Sequence, residues 1–292
     1  MDIRAIFMGI IFAVIWSSAF SSARIIVAAA PPLITLSIRF FIAGLIGVVI
    51  AYALGQTIKM TRGQWKSTII FGIFQNTLYL GLNFVGMQTV EASLASIIAS
   101  SMPLMVAFTG WLIKREQLSL LAATGLCLGF LGVALIMGLR ITNGADGYGI
   151  VLCILGAVAL TVATLAVAGA SEGGNIMMIV GLQMIIGAFF LGLAGILIEE
   201  VYISWSLSFV IAFIYTTLVP GLAATFIWFR LVNRIGAIKA ATFHFLNPFF
   251  GVVIASLVLD EVITALDLTG VVVIAIGILA VQLSKQTAPR AS

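Results

Sequence analysis

Charge is scarce in this sequence. Only 8% of its 292 residues are Asp, Glu, Lys or Arg, while 62% are hydrophobic. A soluble domain carries about 25% charged and about 45–50% apolar residues. So few charges cannot cover so much apolar surface in water, which excludes a soluble globule and leaves lipid as the outer solvent. Cysteine is nearly absent. Cys127 and Cys153 both lie in apolar runs, without disulfide or metal spacing, and read as small core residues. Proline numbers 6 and glycine 29, a balance suited to helices packed closely in lipid.

Other absences exclude chemistry. There is no Gly-Lys-Ser/Thr phosphate loop, so this chain cannot hydrolyse ATP. No nucleophile sits beside a base and no metal-ligand cluster occurs; no cofactor is implied. An intramembrane enzyme would need ionisable pairs at depth, and the single histidine, His244, is poor support for one. A channel would want rings of charge, which are missing.

What is present is a series of apolar runs. Crossing the hydrocarbon takes about 20 residues of helix, and backbone groups in lipid must be satisfied internally. The sequence predicts an all-α integral membrane protein of ten transmembrane helices. They fall near 4–27, 33–54, 67–87, 93–113, 119–138, 148–170, 176–198, 206–229, 237–259 and 265–284. The first could pass for a signal peptide, but it is long for one and many spans follow. Pro31-Pro32 and the run Thr142 to Gly147 supply turns, and Thr264 with Asp267 forms a capping pattern before the last helix.

Basic residues sort by side. With the N-terminus on one face, 11 of the 14 Lys and Arg collect there: Arg4, Lys59, Arg62, Lys66, Lys114, Arg115, Arg230, Arg234, Lys239, Lys285 and Arg290. The positive-inside rule then makes both termini cytoplasmic in the inner (plasma) membrane. The net charge of +4 is explained by that topology, with no nucleic-acid partner.

The chain also matches itself at an offset of 145. Pro103 pairs with Pro248, Glu116 with Glu261, Phe84 with Phe229, Ala92 with Ala237 and Ala95 with Ala240. The expected units are 1–142 and 143–292, each of five helices. An odd number of spans turns the second copy over, and inverted repeats of this kind are typical of secondary transporters, with the site between them.

Six groups of residues carry a resemblance. Trp16-Ser17-Ser18-Ala19-Phe20, Pro31-Pro32 and Ser37-Ile38-Arg39-Phe40 resemble the opening of the EamA domain of the drug/metabolite transporter superfamily. Phe245-Leu246-Asn247-Pro248-Phe249, Leu259-Asp260-Glu261 and Gly270 with Gly277 resemble its close. Within that superfamily the chain is most similar to the YddG-type amino acid exporters. Those export aromatic amino acids, and related members are linked to threonine or methionine. The chain departs from the pattern at Ser17 and Ala19, where Gly and Asn are frequent. It also lacks the paired deep lysines of sugar-phosphate members.

Polar and aromatic residues inside spans supply the candidate site, because polar groups are costly in lipid and usually face a cavity or a partner helix. Asn76, Tyr79 and Asn83 share one face of the third span, as a cavity wall or as interhelical glue. Trp16 and Trp228 lie deeper than an interfacial belt and could stack on a substrate or pack in the core. Phe243, His244 and Asn247 lie on the ninth span, His244 and Asn247 on one face. His244 can line a cavity, exchange a proton or bond a neighbouring helix. Pro103 and Pro248 each free a carbonyl, for a kink or for substrate. Arg39, in the second span, can snorkel, pair with Glu91, or act as a gate or carboxylate contact. Lys239 suits a carboxylate, though the charge rule already accounts for it. Gly125 and Gly129 allow close helix approach within the bundle, and a monomer is the expectation.

The function these residues point to is export of amino acids, aromatic above all, by alternating access of a central cavity. Spans one, three, six and eight would wall it, with two, four, seven and nine completing it. The alternative is export of another metabolite or a drug-like compound. Against a cationic drug, every Asp and Glu lies at or beyond a span end.

Overall fold

The computed structural model describes residues 3–114, 119–142, 144–170, 175–236 and 240–287. Every regular element among them is a helix. They are α1 (Ile3–Ala29), α2 (Pro32–Ala53), α3 (Arg62–Gly86), α4 (Ala92–Ser100 continued by Met102–Lys114) and α5 (Leu120–Thr142). Then come α6 (Gly147–Ala170), α7 (Ile176–Ile198), α8 (Leu207–Ile235), α9 (Phe243–Leu259) and α10 (Ala265–Thr287). Nine of these are long and apolar enough to cross a bilayer; α9 is apolar but shorter. Large apolar side chains cover the outside, Leu257 at 79% and Ile196 at 78% exposure among them. A soluble surface would not tolerate such a band.

Local chemistry sets the helix ends. α3 starts five residues before the expected 67, because Thr61 and Gln64 form a reciprocal cap: Thr61 N–H donates to Gln64 Oε1 at 2.9 Å and Gln64 N–H to Thr61 Oγ1 at 3.2 Å. The Thr264 and Asp267 cap forms as expected, with Thr264 N–H donating to Asp267 Oδ2 at 2.9 Å.

The expected ninth span, 237–259, is not one uniform helix. Residues 237–239, Lys239 included, lie outside the described residues, and Thr242–Leu246 is a 3-10 turn. Pro248 has no N–H for His244 O, and the tighter turn brings Asn247 N–H to that carbonyl instead. The freed carbonyl is thus already taken. α4 breaks likewise at Ser101, two residues before the buried Pro103, where Ser101 Oγ donates to Ile98 O at 2.6 Å.

Element boundaries recur at a spacing of 145. α5 begins at 120 and α10 at 265; α5 ends at 142 and α10 at 287. The π-helical stretches Gly72–Tyr79 within α3 and Thr217–Ala223 within α8 begin 145 residues apart. Packing follows the same rule. α2 packs on α7 and α5 on α10; α1 meets α8 and α9, while α6 meets α3 and α4.

The α2–α7 pair is antiparallel and capped at both ends. Glu199, after α7, accepts from Leu33 N–H at 2.8 Å and Ile34 N–H at 2.9 Å at the start of α2. Gln56, after α2, accepts from Met178 N–H at 3.0 Å at the start of α7. Glu261 does the same for α4, at Ala92 N–H (2.8 Å) and Ser93 N–H (3.0 Å). Carboxylates at helix N-termini complement the exposed N–H groups and the dipole.

Gly125 of α5 faces α10, and Gly129 faces Leu104 of α4 while its backbone lies against Gly277, both contacts inside the bundle. A Cβ on Gly277 would lie 2.6 Å from Gly129 N and 2.7 Å from Gly125 O, so the two backbones touch only because both sides lack side chains. Cys153 is buried, but Cys127 is exposed on α5, a correction to its reading as core.

Candidate functional site

The helices surround a cavity lined by α1, α2, α3, α4, α6, α8 and α9. It holds about 830 Å³ of unfilled space, counting what is open at its mouth. α7 contributes no lining residue; the other expected walls do.

Part of its wall is a cluster of aromatic rings. Phe12 and Trp228 stack with centroids 4.9 Å apart, and the His244 ring stands edge-on to Trp228 at 5.0 Å. Trp16 is 5.7 Å from His244 and lies parallel to Tyr79 at 6.5 Å. The histidine is therefore held by three rings, Phe12, Trp16 and Trp228, contributed by two helices.

Polar groups interrupt this surface. Asn83 is 1% exposed; its Nδ2 donates to Tyr79 O at 2.9 Å, and its Oδ1 has no partner. Gly156 of α6 lies against that amide, and a Cβ there would overlap Asn83 Nδ2. Gln75, Thr164, Thr216 and Thr225 complete the polar lining. No Asp or Glu lines the cavity among the described residues.

Arg39 is the one cationic side chain lining the cavity among the described residues and is 3% exposed. It neither snorkels nor pairs with Glu91. Its Nη1 donates to Thr216 O at 3.2 Å, and its guanidinium lies 5.4 Å from the Phe84 ring centroid. Nε has no partner. In an α-helix the Thr216 carbonyl would accept from residue 220, which is proline and has no N–H. Pro220 sits inside the π-helical stretch of α8, a distortion found often at functional sites.

The structure thus brings Trp16, Tyr79, Asn83, Trp228, His244 and Arg39 together around one cavity. Five other candidates lie elsewhere. Asn76 turns to α7, where its Nδ2 donates to Gln183 O at 2.9 Å and also contacts Gln183 Oε1. The i, i+3, i+7 face splits because the π-helical stretch Gly72–Tyr79 changes the turn between Asn76 and Asn83. Phe243 is buried against Gly9 of α1. Asn247 is fully buried and its carbonyl accepts from Ser17 Oγ at 3.3 Å. Neither lines the cavity, nor do Pro103 and Pro248. Reading the sequence missed Phe12, Gln75, Thr216 and Pro220. A proline in the middle of an apolar span was the available signal for the last two.

Comparisons with known proteins agree with this architecture. The EamA-like transporter family matches twice, over residues 3–138 and 147–283. The Bacillus subtilis "Uncharacterized transporter YvbV" is 26% identical over 266 residues, covering 91% of this chain and 87% of that protein. The Arabidopsis thaliana "WAT1-related protein At3g02690, chloroplastic" is 25% identical and covers 90% of this chain and 66% of its own length. One solved crystal structure superposes with a TM-score of 0.71 at 18% identity, over 99% of this chain and all of that one, which speaks for the fold. The two matched stretches together span most of the sequence, and on that ground the chain belongs to the EamA-like transporter family.

Proposed function

We propose that this chain is a secondary exporter of amino acids, aromatic side chains above all, working by alternating access of the central cavity. One observation carries the reading. The cavity pairs a wall of Phe12, Trp16, Tyr79 and Trp228 with a single cation and no lining acid among the described residues. Aromatic walls suit an apolar or ring-bearing body, and a few convergent polar groups fix its orientation. A cationic drug would meet Arg39 and no carboxylate, which disfavours a multidrug role.

In this reading the protein is two five-helix units, 1–142 and 143–292, the second upside down relative to the first. The recurrence of element boundaries at 145 and the antiparallel α2–α7 and α5–α10 pairs support it. α9 crosses as the tenth span, with both termini cytoplasmic in the inner membrane. Substrate binds between the units, and their rocking opens the cavity to either face.

Uptake into proteoliposomes across a panel of amino acids, with and without a pH gradient, tests the proposal. Aromatic amino acids are expected to move best. Transport of some other metabolite, with no amino acid moved, would sink it. Tyr79→Ala, Asn83→Ala and His244→Ala are each expected to impair transport; three normal variants would refute the site even with the substrate right.

A further inference from the structure

Arg39 poses an electrostatic problem that its protein contacts do not solve. It sits well inside α2, 3% exposed, in a chain whose surroundings are lipid and apolar side chains. Charged side chains at such depth are costly and nearly always have a partner or a function. Here the guanidinium has a backbone carbonyl, Thr216 O, and the faces of Phe40 and Phe84 at 4.5 and 5.4 Å. These are dipoles and quadrupoles, and they leave the net charge standing. Nε has no partner, and no acid lines the cavity among the described residues. A planar cation with unused donors, opening on a cavity, matches a carboxylate, which it can hold in bidentate fashion.

We propose that Arg39 is the carboxylate-binding residue of the cavity, and that the carboxylate is the obligatory group of the substrate while the amino group is dispensable. The inference rests on reading this cavity as the amino acid site, and it narrows that reading. A substrate ammonium would find no acid in the cavity. It would find only Asn83 Oδ1, which is buried and unpartnered, and the aromatic faces. Asn83 Oδ1 can accept from an ammonium or from a hydroxyl equally well. A 2-hydroxy acid with an aromatic side chain therefore satisfies the same groups as the amino acid. It also neutralises the cavity outright, whereas the zwitterion leaves it at the charge of Arg39. The corresponding amine without a carboxylate would add a second positive charge beside the first.

The test is competition against labelled phenylalanine in proteoliposomes by three unlabelled compounds: phenylalanine, phenyllactate and phenethylamine. Phenyllactate should compete within a few-fold of phenylalanine, and phenethylamine at least about tenfold more weakly, as expected when a buried charged partner is left unmatched. Arg39→Gln should erase the acid-over-amine preference, and Arg39→Lys should keep part of it. Because the ratio is read within one preparation, a variant that merely folds less well does not change it; the wild-type ranking stands even if Arg39→Gln cannot be purified. Equal competition by phenethylamine, or an unchanged ratio in Arg39→Gln, overturns the assignment of Arg39 while leaving amino acid transport intact. Phenylalanine competing without phenyllactate overturns the dispensable amino group. If labelled phenylalanine is not transported at all, the amino acid reading falls and takes this one with it.

Discussion

Asn76 and Asn83 lie seven residues apart on α3 and do different work. Asn76 ties α3 to α7 through Gln183, while Asn83 lines the cavity with its amide oxygen buried and unpartnered. An interhelical hydrogen bond in lipid is worth about 0.6 kcal/mol on average and up to about 1.7. Asn76→Leu is therefore expected to lower the melting temperature by a few degrees and leave KM nearly unchanged. Asn83→Leu should raise KM severalfold at nearly unchanged melting temperature, both read on detergent-purified protein and proteoliposomes. Gly156→Ala should copy the Asn83 phenotype without removing any polar atom, because the new methyl displaces the Asn83 amide. The candidate residues that line the cavity are those whose polarity or size is anomalous within a span, such as Arg39, Trp228 and His244. Asn76 and Asn247 are equally anomalous but do not line the cavity: Asn76 bonds α7, and the Asn247 side-chain amide is buried without a partner. Composition cannot separate these cases, since which side faces a void depends on local helical pitch.

Helix existence was legible at the scale of elements because the apolar runs match the bilayer thickness and are punctuated by turn residues. The irregularities were less so. Pro248 announced a kink, but the π-helical stretches within α3 and α8 leave no mark in a hydropathy pattern, and only Pro220 hints at the second. Caps between distant elements were also invisible, since Glu199 and Glu261 act 166 and 169 residues away in sequence. Asp146 offers a pH test of such a cap. Hydrogen bonds from Thr89 Oγ1 at 2.7 Å, and then from Tyr148 N–H and Gly149 N–H, hold its carboxyl below the ordinary aspartate range. A pKa depressed by folding contributes stability above the unfolded pKa, and that contribution is lost as pH falls through the folded value. Wild type should melt above Asp146→Asn at neutral pH, and the two melting curves should converge in acid. A gap that persisted or widened in acid would contradict the cap. For α5 and α10, Gly277→Val is expected to prevent folding or cost many degrees, measured by size exclusion and thermal melting, because its side chain has only the α5 backbone to enter.

For the whole molecule, the repeat was visible as five matched residues before any coordinates, while the exact partner of each helix was not. The topology makes a prediction of its own. With Cys127 and Cys153 replaced by serine, single cysteines at Lys59 and Arg234 should react with an impermeant thiol reagent from the same face. A cysteine at Asp260 should react from the other. Labelling of 59 and 234 from opposite faces would refute the inverted arrangement.

The glycine contact between α5 and α10 carries one more implication. Gly125 sits 145 residues before Gly270, and Gly132 before Gly277, while Gly125 faces Gly277 and Gly132 faces α10 near Gly270. Each surface thus meets a rotated copy of itself, as in the isologous contact of a homodimer. Such a surface is sticky toward its own kind. A fragment ending at 142 would carry half of a self-complementary seam and, threaded both ways through one membrane, could mate with a second copy of itself. Carrying both halves in one chain forestalls that mispairing by tethering α10 to α5 as a fixed antiparallel mate.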